Sequence, residues 1–283
     1  MTPLAKIQDV RKRYGQTWAL DGVSFEVPQG AVLGLIGPNG AGKTTLLKAM
    51  LGLLRFEGDI DLLGRSPRRF RHELMRSVGY ISDVGILPRW MRVDQLIRYS
   101  AAVHPNFSEQ VARDILSKTE VSTKSLIKAL SKGMMTQVHL ALVMAMDVKL
   151  LILDEPTLGL DIVYRSRFYE QILQEFLTED RSLVISTHQV EEIESLLTHL
   201  VLIDQGKVRL CEAMDCVYER FIAVDVAASE LASARSLSPV SEKNALKGAT
   251  FIFDGVEETQ LQALGTCRRP GVAELFVSIM GRG

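Results

Sequence analysis

The chain has 283 residues, 47% of them hydrophobic and 24% charged, with a formal net charge of -1. That is material for one large domain, or a domain plus an appendage, and the near-neutral balance gives no reason to expect a nucleic-acid partner. The three cysteines, Cys211, Cys216 and Cys267, share no metal-ligand spacing and read as reduced thiols. No signal-peptide pattern follows Met1, and no apolar run approaches the ~18 residues of a membrane span. If the protein works at a membrane, something else must cross it.

Short strands are expected over residues 5–10, 16–20 and 23–27, separated by turns at Gly15 and Asp21-Gly22. Tyr14 lies in the first turn region, either as an aromatic face for a base or as a half-buried edge aromatic. An apolar strand over 31–36 then enters Gly37-Pro38-Asn39-Gly40-Ala41-Gly42-Lys43-Thr44-Thr45, and a helical pattern follows. The spacing G-x-x-x-x-G-K-T between strand and helix is that of a phosphate-binding loop. Its glycines let several N–H groups face one point, and the helix opening at Lys43 adds its positive end there. Lys43 supplies a full charge to β- and γ-phosphates, and the Thr44 hydroxyl is a Mg²⁺ ligand. A glycine-rich turn with a chance lysine is the bland alternative.

A strand over 59–63, a short helix over 70–75 and a strand over 78–81 ending at Ser82-Asp83 come next. An inserted helical subdomain spans about 86–135. It opens with Pro88-Arg89-Trp90-Met91-Arg92 and contains helices over 93–103 and 111–116, which need a partner surface in the core or on another chain. At Leu130-Ser131-Lys132-Gly133-Met134 a loop enters a helix carrying Val138, Leu142, Val143 and Met146. Ser131 is a good N-cap, and taken alone the segment is a capped helix.

Leu150-Leu151-Ile152-Leu153-Asp154-Glu155 is a continuous apolar strand, expected in the middle of a parallel sheet covered on both faces. It ends in two carboxylates, at the strand end where such sheets bind ligands. Asp154 suits the Mg²⁺ shell and Glu155 the polarising of an attacking water. After a turn over 158–161, a helix buries Phe168, Ile172, Leu173, Phe176 and Leu177, and a strand over 183–186 ends at Thr187-His188. Alone, His188 reads as a core or surface histidine; in this order its place is beside the γ-phosphate. A helix over 190–197 and a strand over 200–203 complete this part. The remainder reads as a small α+β unit over 213–283, with helices over 213–221 and 272–280, strands over 222–226 and 251–253, and a polar stretch over 233–247 linking them.

With these segments in one order, residues from about 4 to 212 resemble the ATP-binding-cassette (ABC) ATPases. The resemblance implies an α/β P-loop core over 1–212, with a mostly parallel sheet, flanking helices and an N-terminal antiparallel part. Position by position it makes Gly37 to Thr45 the Walker A loop, Asp154 the Walker B acid and Glu155 the catalytic glutamate. The stretch from Leu130 to Met134 becomes the signature, with Ser131 and Gly133 offering donors to phosphate, Leu160-Asp161 the D-loop, His188 the switch histidine and Tyr14 the adenine-stacking aromatic. ATP and Mg²⁺ are the implied ligands. Asp83 stands where the family usually has Gln; a carboxylate there keeps Mg²⁺ binding, with slower hydrolysis expected from its extra negative charge. In the signature, Lys132 and Met134 replace the commoner Gly and Gln.

The family's signature closes over the nucleotide of a second subunit, so the single set of motifs implies a homodimer, or a heterodimer with a related subunit. A separate membrane-spanning subunit is also implied, with the ATPase cytoplasmic and peripheral on the inner face of the membrane. The C-terminal unit is similar to extensions on ATPase subunits of bacterial multi-component exporters, and the details look most like drug-, peptide- or antibiotic-resistance exporters. A soluble ATPase acting on nucleic acid or ribosomes is the second reading, and a P-loop kinase the third.

Overall fold

Alternating burial starts the fold. β1 (Ala5–Tyr14) turns Ala5, Ile7 and Val10 inward and pairs antiparallel with β2 (Thr17–Val27). The computed structural model describes residues 3–82, 87–158, 162–245 and 248–281. The chain continues through β3 (Val32–Ile36), α1 (Lys43–Met50), β4 (Glu57–Leu62), α2 (Pro67–Leu74) and β5 (Val78–Ser82). Three helices follow, α3 (Val93–Val103), α4 (Glu109–Ser117) and α5 (Lys132–Met144). β6 (Leu150–Asp154), α6 (Ile162–Glu175), β7 (Ser182–Thr187), β8 (His199–Asp204) and β9 (Lys207–Ala213) come next. Last are α7 (Met214–Arg220), β10 (Phe221–Ala227), α8 (Leu231–Ser236), β11 (Ser241–Ala245), β12 (Gly248–Asp254), α9 (Glu258–Leu261), β13 (Gly265–Arg268) and α10 (Val272–Met280).

The central sheet has the order β5-β6-β7-β3-β8-β9. It is parallel except for β9, which returns antiparallel on β8. β3 and β6 are buried at every position, because both faces of the sheet are covered. Side chains alternate between those faces. Leu33, Leu35, Leu150 and Ile152 join α1 and the three-stranded sheet β2-β1-β4 in one apolar cluster. Val32, Ile36, Leu151 and Leu153 join residues of α3, α4, α5 and α6 in the other. The partner surface of α3 and α4 is therefore this chain's own core.

The antiparallel sheet β11-β12-β10-β13 alternates too. Ile222, Val224, Phe251 and Phe253 form a small separate cluster on one face. Phe221, Ala223 and Ile252 on the other share the large cluster with Val272 and Leu275 of α10.

Three expectations are corrected. The Asp21-Gly22 turn signal is a bulge inside one continuous strand, with Gly22 at φ 78 and a register shift against β1. The helix expected over 190–197 is two 3-10 turns, Val190–Glu192 and Glu194–Leu196; its apolar residues Val190, Ile193 and Leu196 recur every three positions, the 3-10 period. The polar stretch over 233–247 holds the end of α8 and the strand β11, whose side chains are mostly exposed at a sheet edge and so carry no apolar alternation.

Candidate functional site

The loop from Gly37 to Thr45 joins β3 to α1, and neighbouring carbonyls leave no room for a side chain at Gly37 or Gly42. A Cβ on Gly37 would stand 2.2 Å from the Ile203 carbonyl oxygen, and one on Gly42 2.3 Å from that of Ala19. Gly40 and Gly42 adopt φ 83 and 109, where glycine carries no steric cost. The turn closes through Ala41 N–H to the Pro38 carbonyl at 3.1 Å, and the Ala41 carbonyl accepts from Gly206 N–H at 2.9 Å. Pro38, Asn39, Gly40 and Thr44 are exposed, Thr45 is half-buried and Lys43 is buried.

Two carboxylates meet this loop from the end of β6. Asp154, 3% exposed, accepts hydrogen bonds from Ser186 Oγ (2.6 Å), Thr44 Oγ1 (3.1 Å) and Tyr80 OH (3.4 Å). Burial first, and the Asp154 charge second, push the Tyr80 phenol above its ordinary pKa. Glu155 takes φ 49, a left-handed conformation in which non-glycine residues are uncommon. Its Oε1 lies 3.2 Å from Lys43 Nζ and its Oε2 2.9 Å from His188 Nδ1. The Lys43 ammonium also donates to the carbonyls of Gly37 (2.7 Å) and Pro38 (3.3 Å). An ammonium, two carboxylates, an imidazole and three hydroxyls thus converge at the carboxyl ends of β3, β6 and β7, with Tyr80 reaching in from β5.

Tyr14 ends β1 and is 54% exposed, with Lys12 Nζ 5.0 Å from its ring centre. It pairs with Thr17, two residues before the Ala19 carbonyl that backs Gly42, so the hairpin carries it to the flank of the loop. Ser131 is an exposed N-cap of α5, its Oγ accepting from Met134 N–H at 3.2 Å, and Gly133 is half-buried in the first turn. Among the described residues no hydrogen bond joins Ser131 or Gly133 to the 37–45 loop. Lys132 Nζ donates to the Leu158 carbonyl, tying the start of α5 to the segment after Glu155. Asp83 and Asp161 lie outside the described residues.

Residue types alone did not disclose Ser186 and Tyr80, the partners of Asp154, or Arg165, which donates to Gln189 Oε1 at 2.6 Å and to Glu192. Ser186 carried a signal, a small polar residue in an otherwise apolar strand just before Thr187-His188. A concavity of about 1150 Å³ lies at the opposite, amino end of the sheet, beside Ser77, Lys149 and Asp180. None of the converging groups lines it.

Residues 20–158 match the family model described as ABC transporter. The "Nod factor export ATP-binding protein I" of Cupriavidus metallidurans is 32% identical, over all of this chain and 99% of the relative. The protein of the same name from Burkholderia orbicola is 32% identical over 97% of this chain and 96% of its own length. Among solved structures, an ATP-binding subunit of an ABC transporter superposes with a TM-score of 0.69 at 26% identity, covering 76% of this chain and 92% of the other.

Proposed function

The chain belongs to the ATP-binding subunits of ABC transporters, and from that premise we propose that it drives an exporter through an ATP-closed dimer. It is an ATP-hydrolysing subunit that powers a transporter. The export direction is supported by the relatives that match nearly its whole length, which are export ATP-binding proteins by name.

One observation carries the assignment of the chemistry. The Glu155 carboxylate is held between Lys43 at 3.2 Å and His188 at 2.9 Å, beside the phosphate-binding loop. In this reading the N–H groups of residues 40–45 and the Lys43 ammonium bind the β- and γ-phosphates, since a helix N-terminus and a full positive charge point at one anion site. Tyr14 covers the adenine. Glu155 polarises the attacking water, and His188 orients Glu155 and the γ-phosphate.

Thr44 Oγ1 and Asp154 Oδ1, 3.1 Å apart, are hard oxygen donors that suit Mg²⁺, with Asp83 as a further donor in the sequence. Among the described residues no three acidic, His or Cys side chains form a metal cage. Bound there, Mg²⁺ would supply positive charge against that developing on the transferred phosphoryl group.

Ser131 and Gly133 serve a second copy. The Ser131 side chain is exposed at the N-terminus of α5, where it can meet phosphate across an interface; Asp161 is assigned to the same role by its place in the sequence alone. No helix among the described residues is long and apolar enough to cross a membrane. In this reading a separate membrane-spanning subunit completes the transporter, and the ATPase sits on the inner face of the bilayer. No relative reported above points to nucleic acid.

The test is Glu155→Gln, which keeps the shape and removes the base. With ATP and Mg²⁺ it should elute as a dimer on size exclusion and hydrolyse ATP at least about 100-fold more slowly. A strictly monomeric Glu155→Gln protein that still binds ATP would sink the dimer reading.

A further inference from the structure

The segment after His188 leaves the site and enters the footing of the C-terminal unit. Thr187 Oγ1 accepts from Gln189 N–H at 3.0 Å, and the chain then makes its two 3-10 turns. Val190 and Ile193 are 2% and 0% exposed. They share one apolar cluster with Met214 and Val217 of α7 and with Val272 and Leu275 of α10. α10 packs directly on the first of those turns.

Polar contacts hold the segment from two sides. On the ATPase side, Arg165 of α6 donates to Gln189 and Glu192, and Glu192 Oε2 accepts from Thr157 Oγ1 at 3.3 Å. On the other side, Glu194 Oε1 accepts from the backbone N–H of Val272, the first residue of α10, at 3.0 Å. The same oxygen accepts from Tyr218 OH of α7 at 3.3 Å. The N-cap position of α10 is Gly271, which has no side chain to cap the helix; the Glu194 carboxylate does so from another part of the chain. A charged acceptor at a helix N-terminus makes a stronger bond than a neutral one.

We propose that the C-terminal unit is a positioning element of the ATPase: through Glu194 it fixes the turn that follows His188, and so the imidazole against Glu155. The physical reason is stiffness. The five residues between His188 and Glu194 are Gln189, Val190, Glu191, Glu192 and Ile193, with no glycine among them. They form tight hydrogen-bonded turns whose apolar side chains are buried, so a shift of α10 at one end is felt by His188 at the other. Displacing α10 then alters the rate of hydrolysis and not the grip on nucleotide, which the 37–45 loop supplies. A partner that moves α10 would thereby set the rate at which the motor fires. This inference rests on His188 acting in hydrolysis, as proposed above.

The experiment compares the full-length chain with Glu194→Ala, Glu194→Gln, Tyr218→Phe and His188→Ala. ATP turnover at varied ATP, binding of a fluorescent ATP analogue and thermal unfolding are measured for each. Glu194→Ala should lower kcat about tenfold, since small misplacements of a reacting group are costly. KM and analogue affinity should stay within about twofold of the parent. Glu194→Gln keeps an acceptor for both donors and should restore most of the rate. Tyr218→Phe, which removes a single hydroxyl, should fall between, and it stands in for Glu194→Ala if that variant does not fold. The proposal is overturned by a normal kcat in both Glu194→Ala and Tyr218→Phe. It is equally overturned if analogue affinity falls in step with kcat, or if Glu194→Gln is as slow as Glu194→Ala. A normal rate in His188→Ala would instead remove the role proposed for His188 and the latch with it, which separates that failure from a failure of the latch alone.

Discussion

Lys43 and Glu155 are 6% and 14% exposed, so each is the other's counter-charge in a site that water barely reaches. Among the described residues Glu155 Oε1 has no hydrogen-bond donor and only the Lys43 charge beside it. Removing one member of a buried pair strands the other, at about 3–5 kcal/mol, whereas removing both charges is far milder. Lys43→Ala should therefore lose about 3 kcal/mol of stability without added nucleotide, the low end of that range, because His188 still faces Oε2. Adding Glu155→Gln to Lys43→Ala should recover part of that loss. Chemical denaturation of the parent, both single variants and the double gives the coupling. A double variant as unstable as the sum of the singles would show that the pair is not coupled.

α5 shows how an element can be tuned by one side chain. The helix presses on β5 so closely that a Cβ on Gly79 would stand 2.6 Å from Val143 Cγ1. On the same helix, burial lowers the pKa of His139 from 6.5 to about 4. Between those values the unfolded chain binds a proton that the folded chain refuses. Stability from this residue is thus complete above pH 6.5, falls as pH drops toward 4, and levels off below. The loss amounts to about 3 kcal/mol, and His139→Leu should flatten that limb when unfolding free energy is followed from pH 7 to 4. An unchanged limb would mean that other groups set it.

Periodicity explains which elements were legible beforehand. The helices over 93–103 and 272–280 coincide with α3 and α10 because their apolar faces are unbroken, and β6 announced itself as an uninterrupted apolar run. β11 did not, since an exposed edge strand needs no apolar face. The turns after His188 failed as a helix because a three-residue apolar period also fits a short helix until tertiary contacts decide. At the site, Lys43, Asp154, Glu155 and His188 could be found from their order along the chain. The hydroxyls on Asp154 and the Glu194 bond to α10 join residues up to 110 positions apart, and nothing local in the sequence encodes them.

A motor must also hold what it moves, and the surface that does so should be apolar, exposed and carried on a rigid backbone. Trp90 is 74% exposed, and on α3 Tyr99 and Val103, four residues apart on one face, are 54% and 61% exposed. The backbone beside Trp90 is pinned: Lys128 N–H donates to the Arg89 carbonyl at 3.1 Å and Ile127 N–H to that of Met91 at 2.9 Å. A large aromatic presented without ordering cost, flanked by Arg89 and Arg92, has the composition of an interface hot spot. We expect it to seat in a cytoplasmic helix of the membrane-spanning subunit. Trp90→Ala should weaken that association by about 2 kcal/mol, roughly thirtyfold, while ATP turnover of the isolated chain stays unchanged, because among the described residues no hydrogen bond joins Trp90 to the groups around Glu155. The assay is co-purification in detergent with a co-expressed membrane-spanning subunit, using Leu53→Ala, another exposed apolar side chain, as the control. Full recovery of the membrane protein with Trp90→Ala would move the docking surface elsewhere on the chain.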